Sequence, residues 1–353
     1  MDDLTELEMP EDMLLETVKV TALAGGVGGA RMVDGLARCL PPENLSVVVN
    51  VGDDFDLFGL RICPDLDTVC YTLAGIANQD TGWGIQDETW HVMESLTQVG
   101  GPDWFRLGDH DLATHLERTR LLKQGQTLSQ VCRAFCAAWG VDAKVMPASD
   151  DPVPTRVLTD EGELAFQDYF VRRKCQPKVS GFRFNGVEQA ALSEEARGAL
   201  NNADVVLICP SNPWVSIDPI LAIPGVRHCL TDQLVLAVSP LIGGRAVKGP
   251  AAKMYAELEI EPSALSVARH YGTLLDGFII DRQDAALANR IRAEGMQVLV
   301  TDTLMKTIAV RQRLASDILR FAFSLRKQQT RNGSRVQSVK PLEKGGRRST
   351  STH

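Results

Sequence analysis

The sequence predicts an α/β fold: a Rossmann-like parallel sheet flanked by helices, with a smaller α+β subdomain inserted into it. Short apolar, β-branched runs alternate with helical segments along the chain. Several of these runs end abruptly in Gly, Pro, Asn, Ser or Asp, as strands do where they leave a sheet. Around residues 141–190 the pattern changes to polar and apolar alternation about an Asp-Glu-Gly turn, which predicts an antiparallel hairpin in the insertion.

The ends of the chain differ in charge from its centre. Residues 1–17 are acidic and residues 326–353 are basic, and we expect both to be disordered, with the Rossmann-like domain spanning residues 18–325. A net charge of −8 and 44% hydrophobic residues are typical of a globular protein that does not act mainly on nucleic acid. No apolar run reaches the roughly 20 residues of a membrane span, and the N-terminus lacks a secretory signal. We expect a cytoplasmic protein without a membrane partner.

The first predicted strand, residues 18–24, runs into four closely spaced glycines: Gly25, Gly26, Gly28 and Gly29. A helical segment over residues 30–40 follows. Strand, glycine turn and helix form the layout of a phosphate-binding turn, because backbone N–H groups approach oxygens closely there and the helix N-terminus favours anions. Arg31 occupies the position where the dinucleotide fingerprint requires glycine, and the Walker lysine is missing. The pattern predicts either a phosphate site or a plain tight turn.

The second predicted strand, residues 45–51, leads into a segment crowded with acids: Asp53, Asp54, Asp56, Asp65 and Asp67. Crowded carboxylates resist joint ionisation unless a counter-ion is present. Mg²⁺ takes oxygen ligands, commonly one or two carboxylates together with substrate phosphates. The segment therefore indicates a magnesium site for a phosphorylated substrate, with a solvated acidic loop as the alternative. Ligands of parallel sheets bind beyond the carboxyl ends of strands, so we expect the glycine turn and the acids at one edge.

The remaining elements continue the alternation. Helices are predicted over residues 68–77, 86–97, 111–123, 127–139, 193–202 and 304–325, and strands over residues 204–209, 234–238, 277–281 and 296–300. The strands at 204–209 and 234–238 end in polar turns whose side chains either bind a nucleotide or only shape the turn: Ser211, Asn212 and Ser239. Three tryptophans either stack on a cofactor or, as the prediction favours, are core residues: Trp83, Trp90 and Trp104. The eight cysteines contain no CxxC pair, so structural zinc is not expected.

Eight segments together resemble the 2-phospholactate transferase family of coenzyme F(420) biosynthesis. They are AGGVGGAR (24–31), NVGDD (50–54), ICPDLDT (62–68), LGDHDLATH (107–115), PASDDPVPT (147–155), FQDYF (166–170), PSNPWVSIDPI (210–220) and SPLIGG (239–244). The resemblance implies a Rossmann-like fold with a smaller subdomain. It also implies transfer of a phospho-three-carbon-acid group (2-phospholactyl, phosphoenolpyruvyl or phosphoglyceryl) from a guanosine diphosphate donor. The acceptor would be the terminal ribityl hydroxyl of the deazaflavin Fo, with release of GMP and formation of (dehydro) coenzyme F(420)-0.

The same resemblance assigns roles by position. Asp53 and Asp65 would hold Mg²⁺, the one cofactor implied, and Asp53, Asp54 and Asp67 would be catalytic. Asp67, with Arg106, would contact Fo and would accept or orient its hydroxyl. The donor would lie against the following residues: Gly25, Gly26, Gly28, Gly29, Ser211, Asn212, Pro213 and Ser239. A homodimer acting on small molecules is implied, with no nucleic-acid partner.

Two other functions remain open at this point. One is a nucleotide- or nucleotide-sugar-binding regulator of the same superfamily without transferase activity; the ICPDLDT and LGDHDLATH segments favour the transferase. The other is a nicotinamide-dependent dehydrogenase. The missing third glycine and the acids directly after the second strand disfavour it.

Overall fold

Residues 17–246 and 251–337 are described by the structure, a computed structural model of the chain. The strands of this part are β1 (Val20–Ala24), β2 (Leu45–Val49), β3 (Phe55–Leu57), β4 (Leu60–Ile62), β5 (Lys144–Pro147), β6 (Thr155–Thr159), β7 (Gly162–Ala165), β8 (Val179–Phe184), β9 (Val205–Ile208), β10 (Leu234–Val238), β11 (Leu241–Ile242), β12 (Arg245–Ala246), β13 (Gly277–Asp281) and β14 (Gln297–Thr301). The α-helices are α1 (Gly26–Ala37), α2 (Pro64–Leu73), α3 (His91–Gln98), α4 (Asp109–Lys123), α5 (Leu128–Ala138), α6 (Glu194–Asn201), α7 (Asp218–Ala222), α8 (Val226–Cys229), α9 (Ala251–Glu257), α10 (Ala264–Tyr271), α11 (Ala288–Ala293) and α12 (Ile308–Gln337).

Seven strands form one parallel sheet, in the order β14-β13-β10-β9-β1-β2-β5. The predicted α/β, Rossmann-like class is therefore confirmed. Successive β1 side chains alternate between two cores: Val20, Ala22 and Ala24 pack on one face, and Leu23 packs on the other. The chain crosses to opposite sides of β1 when it forms β2 and β9. Ligands of such sheets bind at the point where the strand order reverses, beyond the carboxyl ends.

A second sheet of three antiparallel strands, in the order β7-β6-β8, forms the smaller subdomain. The predicted hairpin is present, with its turn between Thr159 and Gly162. The predicted start of the insertion at residue 141 was too early, because Lys144–Pro147 pairs with β2 as the edge strand of the main sheet. Two short hairpins, β3–β4 and β11–β12, complete the strands of the described residues.

Three helix boundaries differ from the sequence prediction in ways that affect the site. The glycine run is not a loop, because α1 already begins at Gly26. Helix α2 begins at Pro64, four residues before the predicted position, and so Asp65 and Asp67 lie in its first turn. Helix α12 continues to Gln337, so residues 326–337 are helical rather than part of a disordered tail. The predicted disorder of residues 1–16 and 338–353 falls outside the described residues.

Helices α1, α2 and α12 cover one face of the sheet, and α6–α10 with the small sheet cover the other. Each face buries apolar residues of the strands, which read as near-continuous hydrophobic runs because a parallel sheet is covered on both sides. Among the described helices, none combines the length and apolar character needed to cross a membrane.

Candidate active site

One cavity of about 820 Å³ lies along the carboxyl ends of the parallel strands. Its wall includes nine of the predicted site residues: Gly26, Gly28, Asp53, Asp65, Asp67, Arg106, Ser211, Asn212 and Ser239. Eight of them follow β1, β2, β9 or β10 or lie in the first turn of α2, and Arg106 precedes α4, so the fold brings them together from distant parts of the sequence. Four other predicted residues do not line the cavity: Gly25, Gly29, Asp54 and Pro213.

Asn50, directly after β2, holds the two predicted metal ligands together. Its side-chain Nδ2 donates to Asp53 Oδ1 at 3.0 Å, to Asp65 Oδ2 at 2.9 Å and to the Val215 carbonyl at 3.1 Å. An amide has only two N–H bonds, so these three acceptors share them. The Gly52 N–H donates to Asn50 Oδ1 at 2.8 Å and fixes the orientation of the amide. Sequence reasoning did not single out Asn50, although it lies in the NVGDD segment.

The Asp53 and Asp65 carboxylates are buried without a cationic partner among the described residues. Burial raises the pKa of Asp53 well above its usual value, and the nearby Asp65 raises it further. Burial also raises the pKa of Asp65 to about 6, although hydrogen bonds from Asn50 and the Gly26 N–H oppose this. Two carboxylates that are costly to ionise next to each other favour a bound cation. Their hard oxygen donors suit Mg²⁺, so the donor set fits the predicted ion.

Two glycines of the first predicted strand–helix turn are required by close packing. A Cβ added at Gly25 would lie 2.7 Å from Asp65 Oδ2, and a Cβ added at Gly28 would lie 2.2 Å from the Pro210 carbonyl oxygen. Ser211 also joins the turn after β9 to the glycines, because its hydroxyl donates to the Gly25 carbonyl at 2.7 Å. The glycines therefore bring the start of α1 against both the acidic residues and the turn after β9.

Polar side chains of the turns after β9 and β10 already bond to their own turns. Asn212 Oδ1 accepts from the Trp214 N–H at 3.1 Å, and Ser239 Oγ donates to the Leu241 carbonyl at 2.8 Å. The sequence left open whether these residues shape turns or bind a ligand. The structure gives Asn212 and Ser239 the first role, and it places both of them, together with Ser211, in the cavity wall.

A second group of polar side chains lies at the end of the cavity formed by α2 and α4. Arg118 is 1% exposed, and both terminal nitrogens of its guanidinium donate to the Asp67 carboxylate. Burial raises the pKa of Asp67, and the Arg118 charge opposes this rise. Arg118 was missed by sequence reasoning. The available signal was spacing, since Asp111, His115 and Arg118 fall on one face of α4.

Two further groups of the described residues bring three candidate ligand atoms within 4.8 Å of one another. They are Cys70, Cys132 and Cys136, and Asp67, Asp111 and His115. The thiols are buried between α2 and α5 and do not line the cavity. In the second group Arg118 already donates to Asp67 and His115, so a cation there would face a buried guanidinium. Asp53 and Asp65 are the better pair for a divalent ion.

Aromatic residues form part of the rim. Trp83 is 51% exposed and lines the cavity, so the prediction that it belongs to the core was wrong. The Arg106 guanidinium carbon lies 4.2 Å from the ring centroid of Trp90, a cation–π contact that holds Arg106 at the cavity wall. Trp104 packs against Phe55 and Phe105, in agreement with its predicted core position.

Asp54 and Asp56 lie apart from the paired acids. Asp54 is buried, and burial raises its pKa to about 7, against a hydrogen bond with Cys63. It stands behind the cavity wall rather than in it. The Asp56 side chain is 67% exposed and pairs with Arg61 on the surface. Of the five clustered acids, only Asp53, Asp65 and Asp67 reach the cavity.

Comparison with known proteins supports the family suggested by the motifs. Residues 20–318 match the family model described as 2-phospho-L-lactate transferase CofD. A phosphoenolpyruvate transferase of Streptomyces coelicolor is 41% identical over 317 residues, which cover 88% of this chain and 99% of that protein. A phosphoenolpyruvate transferase of Mycobacterium tuberculosis is 41% identical over 312 residues, covering 81% of this chain and 94% of that protein.

Among solved structures, a protein of the UPF0052 family from Bacillus halodurans superposes with a TM-score of 0.54. The match covers 81% of this chain and 93% of that chain, at 14% sequence identity. At this level of identity the likeness concerns the fold alone.

Proposed function

This chain belongs to the 2-phospho-L-lactate transferase CofD family and is a transferase. From that premise we propose that it moves a phospho-three-carbon-acid group from a guanosine diphosphate donor to the terminal ribityl hydroxyl of Fo, releasing GMP. The relatives carry the name phosphoenolpyruvate transferase, which favours the phosphoenolpyruvyl donor and dehydro coenzyme F(420)-0 as the product. The proposed cofactor is Mg²⁺.

One observation carries this proposal: Asp53 and Asp65 are joined by the Asn50 amide beside the start of α1. The Gly26 N–H donates to Asp65 Oδ1 at 2.7 Å, so the glycine turn and the acids form one site. A diphosphate is commonly bound by a cation together with backbone donors at a helix N-terminus. When bound, Mg²⁺ supplies polarisation of the phosphate and offsets the charge that develops during transfer.

The residues of the chain itself act mainly by positioning. In a loose phosphoryl-transfer transition state, orientation and charge neutralisation dominate over activation of the nucleophile. Ser211, Asn212 and Ser239 form the donor wall, and Gly26 and Gly28 at the start of α1 face its diphosphate. Fo lies between Asp67 and Arg106, with Trp83 available to stack on its aromatic rings. The Fo hydroxyl oxygen bonds to phosphorus as the bond to GMP breaks.

The test is mass spectrometry of the product formed from Fo, GTP and each candidate phospho-acid, with the partner guanylyltransferase supplied. We expect a product mass that equals Fo plus the phosphoenolpyruvyl group, made only in the presence of Mg²⁺. Replacing Asp53 by Asn should abolish the product while the far-UV circular dichroism is retained. No Fo-derived product with any donor, together with tight calorimetric binding of a UDP-sugar, would favour the regulator instead.

A further inference from the structure

The contact with Arg118 determines which nitrogen of a neutral His115 ring carries the proton. Arg118 Nη1 lies 3.1 Å from His115 Nδ1, and a guanidinium has donors only. His115 Nδ1 must therefore accept, which leaves the single proton of the neutral ring on Nε2. Nε2 faces Asp111 Oδ1 at 3.4 Å. His115 is buried, and with Nδ1 occupied by a donor it has no free site for a substrate proton.

Both carboxylate oxygens of Asp67 are also occupied by hydrogen bonds. Each of its carboxylate oxygens accepts from one terminal nitrogen of Arg118, and its exposure is 5%. A carboxylate bound at both oxygens by a buried guanidinium has lone pairs that are directed and stabilised by that partner. Asp67 thus forms part of the wall, and neither of its oxygens is free of a hydrogen bond to Arg118, unlike the proton acceptor expected from the sequence.

Asp111 differs because only one of its oxygens is occupied. Oδ1 accepts from the Tyr71 hydroxyl at 2.7 Å and faces His115 Nε2, whereas Oδ2 has no hydrogen bond from the described residues. Its side chain is 14% exposed and lines the cavity beside Asp67 and Tyr71. Burial acts to raise the pKa of Asp111, but the neighbouring His115 and the hydrogen bond from Tyr71 outweigh it, so the pKa lies below the usual value. The carboxylate is ionised and held in one orientation.

We infer that Asp111 Oδ2 is the catalytic acceptor for the proton of the attacking hydroxyl, and that His115, Arg118 and Tyr71 position it. The inference rests on the proposed function. As the hydroxyl oxygen bonds to phosphorus and the bond to GMP breaks, the O–H bond breaks and its proton passes to Oδ2, then to solvent. A carboxylate whose pKa lies below the usual value is sufficient, because a loose transition state needs little nucleophile activation; protein kinases use an aspartate in the same way.

The closing experiment compares Asp111→Asn with the matched control Glu117→Gln in steady-state transfer to Fo. Glu117 is an exposed acid on the same helix and pairs with Arg120. For Asp111→Asn we expect kcat to fall by about 10²–10⁴-fold, with the Fo dissociation constant, from deazaflavin fluorescence, changed by less than about threefold. Glu117→Gln should match the wild type. Tyr71→Phe removes only the hydroxyl that holds Oδ1, so it should lower kcat at unchanged KM for Fo.

The possible results separate the role of Asp111 from the proposed function. If Asp111→Asn retains kcat, or loses only Fo affinity, the role of Asp111 is overturned while the proposed function stands. A loss of kcat in Asp67→Asn but not in Asp111→Asn would make Asp67 the acceptor. If Asp111→Asn does not fold, full kcat in Tyr71→Phe would reject the inference. A wild-type chain that never modifies Fo would reject the proposed function and this inference together.

Discussion

Replacing Asp65 by Asn should make the metal-free protein more stable. Burial raises the pKa of this carboxylate from 3.8 to about 6. Because the folded-state pKa is raised, the native protein favours the protonated form, and stability is lost as pH rises from the unfolded value through about 6. A shift of about two units corresponds to roughly 3 kcal/mol at neutral pH. The neutral amide removes this penalty.

Part of that gain is lost again through hydrogen bonding. Asp65 Oδ1 accepts from the Gly26 N–H and Oδ2 accepts from Asn50 Nδ2, so the amide nitrogen of the variant faces a donor at whichever position it takes and one of the two bonds is lost. A lost hydrogen bond costs about 1 kcal/mol, so we expect the variant to gain about 2 kcal/mol in free energy of unfolding. Urea denaturation in excess EDTA at pH 7.5, about 1.5 units above the folded pKa, measures this difference.

In excess Mg²⁺ the wild type should become more stable than Asp65→Asn, the reverse of their order in EDTA. A cation that binds only the native state stabilises it by mass action, so the wild type should gain stability in excess Mg²⁺ and Asp65→Asn should not. Asp56→Asn is the matched control: it removes an exposed acid of the same segment and should change stability by less than about 0.5 kcal/mol in either buffer. A variant at position 65 that is less stable than wild type in EDTA and still responds to Mg²⁺ would refute the reasoning.

Three other substitutions test separate parts of the site. Gly28→Ala places a Cβ 2.2 Å from the Pro210 carbonyl oxygen. We expect calorimetry to show at least about tenfold weaker binding of GDP with Mg²⁺, equal to about 1.4 kcal/mol. Unchanged GDP affinity would contradict the packing argument. Arg118→Met leaves a buried carboxylate unpaired and should cost about 3–5 kcal/mol in urea denaturation, whereas the exposed Arg120→Met should cost under about 1 kcal/mol. Trp83→Ala should leave stability within about 0.5 kcal/mol, because the ring is 51% exposed, but should raise the KM for Fo; an unchanged KM would remove Trp83 from the acceptor site.

The strands whose bounds were predicted best are those in which the local sequence alone is a continuous apolar run. β10 and β13 have the predicted bounds, because each is a continuous apolar run that both faces of the sheet bury. β5 was assigned to the insertion instead, since its four residues include Lys144 and Pro147 and its place depends on pairing with β2. That pairing joins segments about a hundred residues apart, and no local pattern reports it.

The site residues also differ in whether the local sequence could predict them. The acids and glycines were visible in the sequence because their local density is unusual, and the strand-end rule placed them at one edge. Asn50 and Arg118 were missed because their roles depend on partners distant in sequence: Val215 for one and Asp67 for the other. Trp83 was misplaced because spacing between tryptophans does not distinguish a core from the rim of a cavity.

The most direct test of the metal site is anomalous diffraction from a crystal of the full chain soaked in Mn²⁺ and GDP. Mn²⁺ takes the same hard oxygen ligands as Mg²⁺ and has a measurable anomalous signal. We predict one strong peak between the Asp53 and Asp65 carboxylates, in contact with the nucleotide diphosphate. A peak at Asp111 and His115 instead, or nucleotide bound with no metal at the Asn50-linked pair, would contradict the account.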